Sequence, residues 1–337
     1  MAVPRVVCET LTVLSLVSIL PPKPDFTEAD IPLLDGKVFL ITGGASGIGY
    51  ELAKILFHKN GRVYIAGRSE AKAQQAITEI KRTLPAGKTG GILEYLHLEL
   101  DDLESIKATV ETFKAKEQKL HVLWNNAGVS RPPVGSVSKQ GIELQLATNC
   151  LGPFLLTQLL LPCLQVPDSP GLTVDPSRVI WTSSQSAELS APQGGLIMSE
   201  VRSPPSGSTR LYINSKTGNM FLASEFARRI GTPQKIVSVA LNPGASSTNL
   251  FRHTPSVKYL AWPLLYKPEM AALTEAYAGI SKDITLETNG CYIIPWGRVS
   301  TSMRDDLLRA MKASQEGGTG RASEFWSFCE EITADYR

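Results

Sequence analysis

Short apolar runs of strand length alternate with amphipathic helical stretches over most of this chain, and that alternation constrains the fold more than any other feature. Val38–Thr42 reads as a buried strand and Ile48–Phe57 as a helix. Arg62–Ala66, Ile92–Leu98 and Leu120–Asn125 follow as strands, with helices over Glu70–Thr83 and Asp102–Lys116 between them. Gly141–Leu164 reads as one long or two joined helices with Pro153 inside. Arg178–Thr182 is a strand and Leu211–Ile230 a helix. Val237–Leu241 and Cys291–Ile294 complete about seven strands. Runs that are apolar throughout belong to parallel strands covered on both faces. The expected class is α/β, a doubly wound parallel sheet with helices on both sides. Ala187–Arg210, rich in Ser, Pro and Gly, reads as a long loop, and long loops inside compact folds commonly carry function.

The first strand runs into Thr42-Gly43-Gly44-Ala45-Ser46-Gly47-Ile48-Gly49. Glycines at 43, 47 and 49 let the backbone turn tightly and approach a pyrophosphate. The helix that follows offers free N–H groups and the positive end of its dipole. The second strand ends at Arg68-Ser69, where an acidic residue would bind a ribose 2′-hydroxyl. Arg68 suits a 2′-phosphate instead, and so NADP(H) over NAD(H). Ser69 is placed to cap the next helix.

Further on stand Ser183-Ser184 and Tyr212-Ile213-Asn214-Ser215-Lys216. Residues four apart share a helix face, which puts Tyr212 beside Lys216. A nearby ammonium is expected to lower the phenol from its usual value near 10, so that it exchanges a proton with a substrate oxygen. Ser184 is placed to donate a hydrogen bond to the same oxygen. A phosphate-cradling turn combined with this proton-transfer site points to hydride transfer between a nicotinamide cofactor and a carbonyl or alcohol.

Composition excludes several other classes. Hydrophobic residues are 43% of 337, enough for a full core, and the formal charge of +2 shows no clustered basic face for nucleic acid. The five cysteines form no Cys-x-x-Cys pair and the four histidines have no metal-ligand spacing, so no metal is expected. Leu11–Leu20 is an apolar run stopped by Pro21-Pro22, well short of the ~20 residues of a spanning helix. It reads as a short amphipathic helix, docked on the body, on a second subunit or on a membrane surface. Cytoplasmic placement, or a peripheral place on an intracellular membrane, follows from that reading.

Together these segments resemble the short-chain dehydrogenase/reductase family over about residues 36–300. Asn125-Asn126-Ala127-Gly128, Asn149 and Pro243-Gly244 with Thr248 match further family motifs. The resemblance implies a Rossmann-type fold, with an N-terminal extension (1–35) and extra C-terminal helices (301–337). It implies Asn149, Ser184, Tyr212 and Lys216 as catalytic residues. For the cofactor it implies Gly43, Ser46, Gly47, Ile48, Gly49, Arg68, Glu99, Leu100, Asn126, Ala127, Gly128, Tyr212, Lys216, Pro243, Gly244 and Thr248. In this scheme Asn149 orders a water toward the lysine. Glu99 stands where the branch carries an aspartate, and no basic residue sits inside the glycine turn, so NADP(H) preference rests on Arg68. Similarity is greatest to the retinol-dehydrogenase-like branch and to filamentous-fungal members, which often serve in secondary metabolism. The resemblance also implies a dimer or tetramer through the Tyr212 helix, while the added terminal segments are compatible with a monomer.

The expected activity is an NADPH-dependent carbonyl reductase, reversible to an alcohol dehydrogenase. Substrate walls are expected from 187–210, 251–268 and the C-terminal helices. Phe251, Tyr259, Trp262, Pro263 and Tyr266 suit an apolar or aromatic ketone or aldehyde. Two alternatives stay open: non-redox acid/base chemistry in the same fold, and a membrane-surface retinoid or steroid dehydrogenase.

Overall fold

The first strand shows how the sheet is buried. In β1 (Val38–Thr42), Val38 and Leu40 face one apolar layer while Phe39 and Ile41 face the other. Successive side chains of a strand point to opposite faces, so a strand apolar from Val38 to Ile41 needs cover on both. The computed structural model describes residues 20–165, 175–248, 250, 253, 259 and 265–337. The strands β2 (Arg62–Gly67), β3 (Ile92–His97), β4 (Val122–Asn125), β5 (Arg178–Thr182), β6 (Val237–Leu241) and β7 (Tyr292–Ile294) join β1 in the order β3-β2-β1-β4-β5-β6-β7. All pair in parallel. An eighth strand, β8 (Arg298–Val299), folds back antiparallel on β7. Two residues are too few to show a period, so this strand was not expected.

Helices α1 (Gly47–His58) and α2 (Glu70–Arg82) lie in the first half, the second capped by Ser69, whose Oγ accepts from Lys72 N–H at 3.4 Å. Helix α3 (Leu103–Lys114) packs on α4, which is assembled from Leu144–Leu146, a π-helical turn Ala147–Leu151 and Gly152–Leu159. Pro153 has no N–H for the carbonyl four residues back, and its ring crowds that carbonyl. The wide turn lies just before it, and Asn149 sits inside it. The stretch 187–210, expected to be a loop, takes in most of one short helix, α5 (Gln185–Ser190), and all of another, α6 (Met198–Arg202). Its Ser, Pro and Gly content masked them.

Helix α7 (Ser208–Phe226) carries Tyr212 and Lys216. Helix α8 (Pro268–Ile280) covers the opposite face of the sheet, and α9 (Asp305–Met311) and α10 (Arg321–Thr333) follow. Helix α10 packs on α7: Phe325 lies against Gly218, where an added Cβ would stand 2.8 Å from its ring. Arg304, just before α9, donates to the carbonyls of Glu188 and Ala191, and Asp306 accepts from Gly194 N–H. The C-terminal helices thus brace the 188–195 segment. Among the N-terminal residues described, Phe26, Ile31 and Leu34 are buried in the second layer. The expected short helix at the apolar run Leu11–Leu20 lies, but for Leu20, outside the described residues. No described helix is long and apolar enough to cross a membrane.

Candidate active site

Strand order reverses between β1 and β4, and the carboxyl ends of those two strands are tied together there. Thr42 Oγ1 donates to the Trp124 carbonyl and accepts from Ala127 N–H, while Asn126 Nδ2 donates to the Thr42 carbonyl. Open α/β sheets hold ligands at such a switch point. A cleft of about 770 Å³ occupies it. Gly43 turns the chain out of β1 with φ +70°, in the left-handed region that glycine enters without cost. A Cβ on Gly49 would fall 2.7 Å from Asn126 Nδ2 and from the Gly43 carbonyl, so a side chain there would push α1 off the switch point. Gly43, Ser46, Gly47 and Ile48 line the cleft and Gly49 sits beneath them. The first N–H groups of α1 have no partner within the helix, which suits a phosphate.

One end of the cleft carries Arg68, Lys72, Leu98, Leu100 and Asp101. Arg68 Nη1 lies 3.3 Å from Asp101 Oδ2, and its side chain is 59% exposed. Glu99 is not among the residues lining this cleft: its carboxylate stands 3.5 Å from His97 Nε2. Lys72 and Asp101 were not singled out from sequence. Lys72 sits one turn into α2, where a lysine ordinarily belongs to the solvated face.

The other end gathers Ser184, Tyr212 and Lys216 with Asn126, Ala127, Gly128, Pro243, Gly244 and Thr248. Ser184 caps α5, and its Oγ accepts from Ser186 N–H at 3.2 Å. Its own proton is thereby left for another acceptor. Lys216 is buried, and its Nζ donates to the Thr182 carbonyl at 2.8 Å. Asn149 Oδ1 accepts from Val129 N–H, and its Nδ2 donates to the Val129 carbonyl and to Ser215 Oγ. Its amide clamps the turn after β4 to α7. A Cβ on Gly128 would lie 3.2 Å from Asn149 Oδ1 and 3.3 Å from Lys216 Nζ, so this turn closes over both.

The electrostatics differ from the sequence expectation at one point. Burial raises the Tyr212 phenol above its usual value, while Ser184 and Arg131 pull it the other way; Lys216 is not among its influences. The ammonium is engaged with Thr182, and the phenol has lost its water. Tyr212 is therefore neutral at pH 7 and holds a proton to give. Burial also lowers Lys216, to about 8.

Beneath them lies Glu275 of α8, fully buried and pushed by burial to about 7. Its Oε1 accepts from Thr182 Oγ1 at 2.7 Å, so Thr182 joins it to the lysine. Its charge raises Lys216. Loss of the Lys216 charge is expected to limit activity above pH 8. Glu275→Gln keeps an acceptor for Thr182 but removes the charge, so this basic limb should move to lower pH, by up to about one unit. Profiles of kcat against pH for both proteins check this; an unmoved limb would disconnect Glu275 from Lys216. Nothing in the sequence pointed to Glu275, a lone acid on an otherwise apolar helix face.

Of the expected substrate wall, Tyr266 packs edge-on against Trp296 at 4.8 Å and Tyr259 is 84% exposed. Phe251, Trp262 and Pro263 lie outside the described residues.

Comparison with known proteins agrees with this fold. A family model described as short chain dehydrogenase matches residues 37–257. A short-chain dehydrogenase/reductase of Phomopsis amygdali is 45% identical over 325 residues, 94% of this chain and 96% of that one. One from Pestalotiopsis fici is 43% identical over 320 residues, 92% of this chain and 94% of that one. A solved Mycobacterium Paratuberculosis protein superposes with a TM-score of 0.67 at 27% identity, covering 92% of this chain and 97% of that one. The chain belongs to the short-chain dehydrogenase/reductase family of oxidoreductases.

Proposed function

We propose that this protein is an NADPH-dependent carbonyl reductase, reversible to an alcohol dehydrogenase, acting on an apolar or aromatic ketone or aldehyde. The observation that carries the reading is a single cleft with a phosphate-sized glycine turn and Arg68 at one end and Ser184, Tyr212 and Lys216 at the other. The cofactor, when bound, supplies the hydride. Gly43, Ser46, Gly47 and Ile48 hold its phosphates, Gly49 keeps α1 close, and Asn126, Ala127, Gly128, Leu100, Pro243, Gly244 and Thr248 form the remaining walls. Ser184 donates to the substrate oxygen, and Tyr212 gives that oxygen its proton. Lys216 keeps positive charge behind both, and Asn149 holds the turn that closes over the lysine.

A second depression of about 550 Å³ shares Pro132, Pro133 and Ser136 with the cleft and is walled by Val201, Leu211, Phe328 and Ile332. These walls support an apolar body on the substrate. Such a compound suits the secondary metabolism implied by the resemblance to filamentous-fungal members.

Arg68 and Lys72 support NADP(H). Replacing Arg68 by alanine is expected to reduce the ratio of kcat/KM with NADPH to that with NADH by about tenfold or more, since a guanidinium pairs bidentately with a phosphate. Steady-state kinetics with both cofactors measure the ratio, and an unchanged value would remove Arg68 from the 2′-phosphate site. The reaction itself is tested by deuteride transfer. The protein is incubated with 4-deuterated NADPH and a metabolite extract of its source, and the products are read by mass spectrometry. A product one deuterium heavier establishes the reductase. A product formed without deuterium replaces that reading with non-redox acid/base chemistry.

A further inference from the structure

The turn after β4 carries a cation that none of the roles above uses. Arg131 lines the same cleft as Ser184 and Tyr212. Its Nε is buried without a hydrogen-bond partner, and among the described residues Arg131 makes no ion pair. The only carboxylate among the described lining residues is Asp101, already engaged with Arg68. At the reacting end of the cleft, Arg131 therefore faces no carboxylate among the described lining residues, and the buried Glu275 is engaged with Thr182 behind Lys216.

The backbone holds this guanidinium in place at some cost. Arg131 has φ +48°, in the left-handed region that side-chain-bearing residues seldom enter. Its N–H donates to Gln145 Oε1 at 2.9 Å, and Gln145 Nε2 donates to the Ser208 carbonyl at 3.1 Å. Gln145 is fully buried and so fixes the Arg131 turn against the first residue of the helix that carries Tyr212. Strain maintained by a buried polar clamp beside reacting groups is a feature of functional sites. Arg131 and Tyr212 line the same cleft, and the charge of Arg131 works against the burial that raises the phenol.

We propose that Arg131 is a substrate-recognition residue, and that the carbonyl compound handled here carries an anionic oxygen, a carboxylate or an ionised enol or phenol, beside its reacting carbon. The proposal rests on the reductase reading and narrows its substrate class to an apolar or aromatic body with one acid group next to the carbonyl. A guanidinium left partly desolvated and unpaired gains most from a planar anion that accepts two parallel N–H bonds. The same pairing orients the carbonyl toward Ser184 and Tyr212.

The test uses matched probes on the full chain saturated with NADPH. Benzoate and benzamide serve as unreactive ligands, and benzoylformate and its methyl ester as substrates. Calorimetric titration of wild-type protein is expected to show benzoate binding at least about tenfold tighter than benzamide, the effect of a charge-assisted bond. Arg131→Met should abolish that preference and Arg131→Lys should retain part of it. In turnover, Arg131→Met should collapse the preference for benzoylformate over its ester by a similar factor. Equal affinity of wild type for benzoate and benzamide would overturn the proposal. So would an equal loss for acid and ester, which assigns Arg131 to Tyr212 and not to substrate. So would a fall in NADPH affinity of Arg131→Met large enough to account for the change, which assigns it to the cofactor. Selective benzoate binding that depends on Arg131, with no NADPH oxidation by any carbonyl compound, would sustain the anion site and overturn only the reductase reading.

Discussion

Tyr212→Phe is expected to lower kcat for NADPH-dependent reduction by about 10³-fold, within the range that positioned proton transfer contributes. The side chain is 5% exposed, and phenylalanine refills its volume, so the variant removes one O–H group and little packing. Burial raises the phenol, so at pH 7 the wild-type residue is a neutral donor and not a phenolate. That suits the reductive direction, in which the nascent alkoxide needs a proton. Ser184 cannot take over: its hydroxyl can donate a hydrogen bond, but no base is seen to resupply its proton. Lys216 is buried with one of its N–H groups on the Thr182 carbonyl, and its assigned part is to hold charge and not to meet the substrate oxygen. Steady-state NADPH oxidation with any accepted ketone measures the loss, and fluorescence titration of NADPH separates it from cofactor binding. Turnover within tenfold of wild type would take the proton-donor role away from Tyr212.

The sequence disclosed the layout of this site better than its electrostatics. Strand runs such as Val38–Thr42 and Val237–Leu241 are apolar except at Thr42 and Ser238, and the structure buries every position of both. Motif order then placed the glycine turn, Asn126 and the Tyr212 helix at the carboxyl ends of the central strands. Features that depend on a through-space neighbour could not be read this way. Glu275 and Lys216 are far apart in sequence and meet only because α8 and α7 cover opposite faces of β5. The raised phenol of Tyr212 is a burial effect, whereas spacing along a helix displays only the nearby lysine. Arg131 and Gln145 show the same limit: a polar residue in a loop or at the start of a helix reads as solvated until the fold closes around it. The short helices α5 and α6 were hidden for a different reason. Ser, Pro and Gly set a local preference for turns, and tertiary contacts such as Ala187 and Val201 in the core override it.

Trp326→Ala is expected to destabilise the protein by about 3–5 kcal/mol, the cost of emptying a large aromatic site in a packed core. Trp326 is 2% exposed on α10 and meets Phe154 of α4 edge-on at 4.8 Å, with the Arg229 guanidinium 5.5 Å from its ring. The indole therefore joins the C-terminal helix to α4 and to the end of α7, which carry Asn149 and Tyr212. Its loss should be felt at the site as well as in global stability. Its Nε1 is buried without a partner, so part of the ring's contribution is offset in the wild type. Trp326→Phe keeps an aromatic edge for Phe154 and removes that unpaired donor, so it should cost clearly less than the alanine variant. Chemical denaturation of the three proteins gives the comparison, with the midpoint of Trp326→Ala well below the other two. Equal midpoints for all three would mean that α10 contributes little to the fold. In that case the braced 188–195 segment and the walls Phe328 and Ile332 would have to be held in place by α9 and its Arg304 contacts alone.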